Sequence, residues 1–164
     1  MKKIFFVLFS LVVTYSLFAQ TDKTYKAHNE GWLVSIDEAY EISKKTGKPI
    51  MANFTGSDWC GWCIRLTNDV FSKPEFKQWA TKNVVLLELD FPRRKQLPEN
   101  IRQQNAGLQQ AFGVTGYPTV WVFFLNKDAK TNQFNINGLG KTGYMPDVNA
   151  FIKGVEDMIK QGKN

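Results

Sequence analysis

The sequence predicts a single α/β domain built on a central sheet with helices on both faces. Short apolar runs alternate with amphipathic stretches along the chain, the pattern of strands layered against helices. The composition, 43% apolar, 22% charged and 14% aromatic, is globular and excludes disordered and collagen-like chains. A length of 164 residues suits one domain with a substantial core, and two cysteines are too few for a disulfide-dense miniprotein.

Residues 1–20 begin with Lys2 and Lys3, continue through an apolar run from Ile4 to Phe18 and reach the small Ala19. That layout predicts a secretory signal peptide over residues 1–19. The run holds 15 residues and includes Ser10, Thr14, Tyr15 and Ser16, whereas a spanning helix needs about 20 mainly apolar residues. An uncleaved anchor is the competing reading, and Leu17 is larger than signal peptidases prefer three residues before a cut. No cysteine lies near the end of the signal, which argues against a lipid-modified lipoprotein. Cleavage removes two lysines and no acid, lowering the formal charge from +6 to +4. The expected product is exported, periplasmic or secreted, where thiols are open to oxidation, with no stable membrane insertion once the signal is gone. Residues 20–31 form an N-terminal extension and residues 32–164 the folded domain.

Ser35 and Glu38 form a capping-box pattern ahead of Ile36, Ala39 and Tyr40, so a first helix is expected over residues 36–46, stopped by Gly47 and Pro49. Residues 50–55, IMANFT, read as a buried strand ending at Gly56. A helix over residues 60–71 follows, and Pro74 restarts it as a second piece with Phe76 and Trp79 on the apolar side. The nearly continuous apolar run at residues 84–91 predicts a strand covered on both faces. After a polar loop, PRRKQLPEN, a weaker helix is expected over residues 99–112 with Ile101, Leu108, Ala111 and Phe112 inward. Residues 119–125, TVWVFFL, give the strongest strand signal. The turn residues Asn126, Lys127 and Asp128 then lead to an antiparallel partner near residues 133–139. Val148, Phe151, Ile152, Val155 and Ile159 mark a final amphipathic helix beginning near Pro146 and Asp147.

The chemistry centres on Cys60 and Cys63 in DWCGWC, where a buried strand hands over to a helix. Zinc needs about four ligands, and His28 is the only histidine. Covalent haem needs histidine directly after the second cysteine, and residue 64 is isoleucine. A purely structural disulfide over so short a loop contributes only about 2 kcal/mol by chain entropy. A redox dithiol remains, in which the helix N-terminus favours the Cys60 thiolate. The basic residues are scattered apart from Arg93, Arg94 and Lys95, so no nucleic-acid partner is expected.

Two separated segments resemble the exported branch of the thioredoxin-like family: Trp59, Cys60, Gly61 and Cys63 after a strand, and Phe112 to Thr119, FGVTGYPT, before the next. The resemblance covers roughly residues 32–160. It implies a thioredoxin-like fold with a central mixed sheet of about four or five strands, and a thiol-disulfide oxidoreductase needing no metal or organic cofactor. Cys60 is then the nucleophile and Cys63 the resolving thiol. The proline matching the family's cis-proline is Pro118, and Tyr117 before it offers backbone to the substrate. The implied substrate-binding residues are Trp59, Gly61, Trp62, Tyr117 and Pro118, and the implied partners are protein thiols and disulfides with an upstream thiol donor or acceptor.

This chain also departs from the family pattern. Trp62 stands where many thioredoxins carry proline and oxidants often carry histidine. Without an added positive partner Cys60 should be a moderate thiolate, which favours a reductase or isomerase-like exchanger over a strong oxidase. Asn53 matches the family's buried acid and cannot accept a proton, so Glu88 in the neighbouring strand is the candidate base for Cys63. The bland alternative for Glu88 is a strand-end carboxylate reaching water. Asp58 reads as a helix cap before an active-site residue, His28 as an exposed bystander, the Arg93 to Lys95 run as a solvated loop, and Gly138 and Gly140 as a substrate-facing loop or sharp turn. The rival class is a non-catalytic binding or chaperone module that holds partners on its tryptophans around a passive disulfide. Intact paired cysteines weigh against it.

Overall fold

Residues 25–162 are described by a computed structural model; the expected signal over residues 1–19 and the start of the extension lie outside them. Ser35 opens α1 (Ile36–Thr46) by accepting the Glu38 N–H at 3.4 Å, and Gly47 closes it at φ 70, a left-handed turn that glycine adopts freely. β1 (Ile50–Thr55) is buried at every position and lies inside a four-stranded sheet of order β2-β1-β3-β4. It pairs in parallel with β2 (Val85–Asp90) and antiparallel with β3 (Thr119–Lys127), which carries β4 (Phe134–Thr142) antiparallel on its other edge. The mixed sheet, the α/β class and the antiparallel last pair are as the sequence predicts.

Alternation along the strands sorts their side chains to two faces. Ile50, Ala52 and Phe54 join Val85, Leu87, Leu89, Phe123 and Leu125 against α1, Phe112 and Val114. On the opposite face Met51, Val120 and Val122 meet Leu66, Val70, Phe71, Phe76, Phe151 and Val155 from the helices that cover it. Those helices are α2 (Gly61–Leu66), α3 (Pro74–Asn83) and α5 (Val148–Gln161), with Val70 and Phe71 on the turn Thr67–Phe71 between α2 and α3. Pro74 sits in the first turn of α3 and Asp147 caps α5 by accepting the Ala150 N–H at 2.7 Å.

Four local expectations need correction. The helix expected over residues 60–71 is α2 followed by a π-helical turn at Thr67–Phe71, where the Ser72 N–H reaches back five residues to the Thr67 carbonyl at 2.8 Å. Val70 and Phe71 on this turn both enter the core. In α4 (Glu99–Ala111) the expected inward Ala111 is exposed; the buried residues of that helix are Ile101 and Asn105. The Asn105 side-chain amide donates to the Asp90 carbonyl at 2.9 Å, so a polar group is satisfied inside. Gly138 and Gly140 are neither loop nor turn: they lie within β4, where a Cβ would come 3.2 Å from Trp121 and 2.7 Å from Met158.

His28 is exposed, as expected, but it is no detached bystander, because its backbone N–H is bound by Glu88 and the extension around it packs on the domain. Leu33 bridges Leu87 in parallel: its N–H donates to the Leu86 carbonyl at 3.0 Å and its carbonyl accepts the Glu88 N–H at 2.8 Å. Trp32 is buried, its ring 4.8 Å from that of Phe71. Residues 25–33 thus form a strap along the outer edge of β2.

Candidate active site

Gly56 ends β1 and fixes the approach to the cysteines. A Cβ there would lie 2.5 Å from the Trp59 ring, so the indole packs on bare backbone. The Trp59 indole N–H donates to the Phe91 carbonyl at 2.8 Å, which ties this segment to the end of β2. Asp58 does not cap the helix. Its carboxylate accepts the backbone N–H groups of Arg93 at 2.9 Å and Arg94 at 2.8 Å, and these bonds hold its pKa below the usual carboxylate range.

Cys60 caps α2 itself: its Sγ accepts the Cys63 N–H at 3.2 Å, and its carbonyl accepts the Ile64 N–H at 3.1 Å. A sulfur at a helix N-terminus meets unpaired N–H groups and the positive end of the helix dipole, which favours thiolate when the pair is reduced. Cys60 and Cys63 are joined in a disulfide with their Cα atoms 5.2 Å apart. Cys60 is 7% exposed and Cys63 2%, so Cys60 is the more exposed residue of the pair. Gly61 is exposed at the first turn of α2. Trp62 is 54% exposed, with its ring 5.0 Å from Tyr144.

The Tyr117–Pro118 peptide bond is cis. Tyr117 joins the cysteine segment through its ring, which meets Trp59 edge-on at 5.9 Å and stacks on Phe91 at 5.2 Å. Gln109 donates to the Tyr117 hydroxyl at 2.8 Å and holds the ring in place. Tyr117 precedes β3 and stays outside the sheet ladders, so its backbone is not committed to strand pairing.

The polar residues of β1 and β2 alternate onto the sheet face of Met51 and Leu86. Asn53 pairs in register with Glu88, and Thr55 with Asp90, and all four are buried. Asp90 accepts the Ser57 N–H at 2.9 Å and its hydroxyl at 2.6 Å, and Lys95 reaches the same carboxylate at 3.0 Å. Glu88 is 1% exposed, which removes the reading of a carboxylate reaching water. Its hydrogen bonds go to the strap: it accepts the backbone N–H of His28, the backbone N–H of Asn29 at 3.0 Å and the Asn29 side-chain amide at 2.7 Å. Burial pushes the Glu88 pKa up, opposed by those three donors. The Asn53 Oδ1 is buried with no hydrogen-bond partner among the described residues.

Sequence reasoning missed three contacts: Phe91 under Tyr117, Tyr144 beside Trp62, and Arg93 with its guanidinium 3.7 Å from the Trp59 ring centroid. The Arg93 run was visible as a charge cluster, but only the Asp58 bonds place it here. Nothing local in the sequence points to Tyr144. No group of three or more His, Cys, Asp or Glu suited to a metal occurs among the described residues.

The sequence profile of the thioredoxin-like domain matches residues 36–147. The chain is 37% identical over 142 residues to the disulfide bond reductase DsbH of Chlamydia pneumoniae, covering 86% of this chain and 80% of that protein. A solved DsbH oxidoreductase superposes with a TM-score of 0.68 at 33% identity, over 87% of this chain and 92% of that one. A thioredoxin from Thermus thermophilus shares the fold at a TM-score of 0.55 and 19% identity, over 77% of this chain and 85% of that one. The chain belongs to the thioredoxin-like family and is a thiol-disulfide oxidoreductase within it.

Proposed function

We propose that this protein is an exported reductase of protein disulfides, with Cys60 as nucleophile and Cys63 as resolving thiol. The observation that carries this reading is the Cys60–Cys63 pair at the N-terminus of α2, with Cys60 the more exposed residue and the cis Tyr117–Pro118 segment linked to it through Trp59. In the reduced protein the Cys60 thiolate attacks one sulfur of a substrate disulfide, forms a mixed disulfide and expels the other substrate sulfur as thiolate. Cys63 then loses its proton, attacks Cys60 Sγ and expels the second substrate thiolate. The substrate gains two electrons and the protein is left with the Cys60–Cys63 bridge. An upstream thiol donor restores the dithiol. The backbone at Tyr117 suits pairing with an extended substrate segment, and Trp59, Gly61, Trp62 and Pro118 form the surface it crosses.

The direction is supported by the relative named a disulfide bond reductase and by the uncharged Gly61 and Trp62 between the cysteines. Such a spacer gives Cys60 no cationic partner within the motif to stabilise an extreme thiolate. Export is supported by the signal layout of residues 1–19. Among the described residues no helix is long and apolar enough to cross a membrane.

The proton leaving Cys63 needs an acceptor, and Glu88 is our candidate. A carboxylate offers about four acceptor sites, and the strap uses three at Glu88. A raised pKa suits a proton acceptor. Glu88→Gln should slow Cys63-dependent resolution and shift its pH profile; an unchanged rate and profile exclude the role.

The reductase reading is tested by insulin-type disulfide reduction with the mature protein against Cys60→Ser. The expected result is turnover by the first and background by the second. Equal background activity in both removes the reading. Cys63→Ser should accumulate mixed disulfides with its substrates.

A further inference from the structure

The cysteine motif contains two tryptophans, one before Cys60 and one between the cysteines, and each carries an arginine. The Arg93 guanidinium lies 3.7 Å from the Trp59 ring centroid, and that of Arg65 lies 4.9 Å from the Trp62 ring. Trp59 directly precedes Cys60 and Trp62 lies two residues after it, so each cation rests on a ring carried by the cysteine motif. Arg93 is held there by more than its side chain, because its backbone N–H and that of Arg94 are bound by the Asp58 carboxylate.

The charges on this face are unevenly committed. Asp58 is occupied by backbone donors, and the Asp69 carboxylate accepts the Tyr144 hydroxyl at 2.8 Å. Lys95 is paired with the buried Asp90. Arg65, Arg93 and Arg94 are exposed and form no ion pair among the described residues. A guanidinium stacked on an aromatic face loses little of its charge and keeps its N–H edges free for a carboxylate.

We propose that Arg65 and Arg93 select substrate segments in which aspartate or glutamate flanks the disulfide cysteine. A substrate strand crossing Cys60 places its neighbouring residues about 3.3 Å apart along its axis, within reach of long arginine side chains on either side. The tryptophans supply apolar contact to the chain and the arginines supply the sign. Basic segments meet two cations carried on the tryptophans of the cysteine motif, so discrimination works by repulsion as well as attraction. The inference rests on the reductase reading and sharpens its substrate class.

The test uses three disulfide-linked peptides, identical except for aspartate, serine or lysine on both sides of the cysteine. The reduced mature protein should attack them in the order aspartate, serine, lysine, with about a tenfold spread in second-order rate at low salt, as steering of this kind provides. The spread should shrink at high ionic strength. In the double variant Arg65→Glu, Arg93→Glu it should vanish or reverse, while the serine peptide keeps reacting. Gln substitutions at both positions, checked by thermal melting, guard against a folding defect and should narrow the spread. Equal rates on all three peptides, or a spread that survives the double variant, overturn the proposal. Background-level attack on every peptide, serine included, would instead remove the reductase reading on which it stands.

Discussion

The two faces of the sheet are built from the same strands and do different work. Toward α1, β1 and β2 present Ile50, Ala52, Phe54, Val85, Leu87 and Leu89, all apolar and all buried. Toward α2 the alternate positions begin apolar at Met51 and Leu86, then become Asn53, Thr55, Glu88 and Asp90 as the strands approach the cysteines. One face is a core that stabilises the domain. The other changes, within two residues along each strand, from core into a buried polar file that anchors the strap and the loops around the disulfide. The redox pair thus rests on a sheet whose unbroken apolar face stabilises the domain while its partner face carries polar groups that are expensive to bury.

The largest effect separating the faces should come from Phe54→Ala or Phe123→Ala, which empties a fully buried site. Each should lose about 3–5 kcal/mol in urea unfolding, with the redox equilibrium of the folded protein unchanged. A shift in that equilibrium would break the division between faces.

Glu88→Ala comes next, because it leaves the His28 and Asn29 donors without their acceptor. The expected loss is about 3 kcal/mol, with faster proteolysis confined to residues 25–33. Burial raises the Glu88 pKa above the ordinary 4.5. The folded state therefore holds this proton more tightly than the unfolded chain. Its contribution to stability is fully present below pH 4.5 and lost as pH rises through the folded value. Glu88→Gln should remove that downward trend, read as urea midpoints across pH. A loss that persists in the variant would place its origin elsewhere.

The smallest effect belongs to Asp58, whose pKa is lowered by the Arg93 and Arg94 N–H groups. Its contribution is present above the ordinary 3.8 and is lost as pH falls through the folded value. Asp58→Asn should flatten that acid limb and loosen the Arg93 loop, seen as faster amide exchange at Arg93 and Arg94. Unaltered exchange would mean that the loop is held by other contacts.

Much of this molecule is legible from local pattern. The IMANFT and TVWVFFL runs, the Ser35 cap and the amphipathic α5 are short-range signals, and each produces its element within a residue or two. The cysteine motif and the Tyr117–Pro118 pair are equally local, so the paired cysteines and the cis-proline position are legible in the sequence. What was hidden depends on partners far along the chain. The commitment of Glu88 to the strap joins residues 60 apart, and Asp58 binds backbone 35 residues away. The π turn after α2 was hidden for another reason: a helix and a π turn share the same apolar spacing until the hydrogen bonds are counted.

The Cys60–Cys63 pair should behave as a reversible, reducing dithiol. This is tested most directly by equilibrating the mature protein in glutathione buffers and reading the Cys60–Cys63 bridge by mass spectrometry after acid trapping. A single two-electron transition is expected, with a midpoint more negative than about −200 mV. A bridge that does not exchange, or a pair that stays reduced until strongly oxidising ratios, would contradict it.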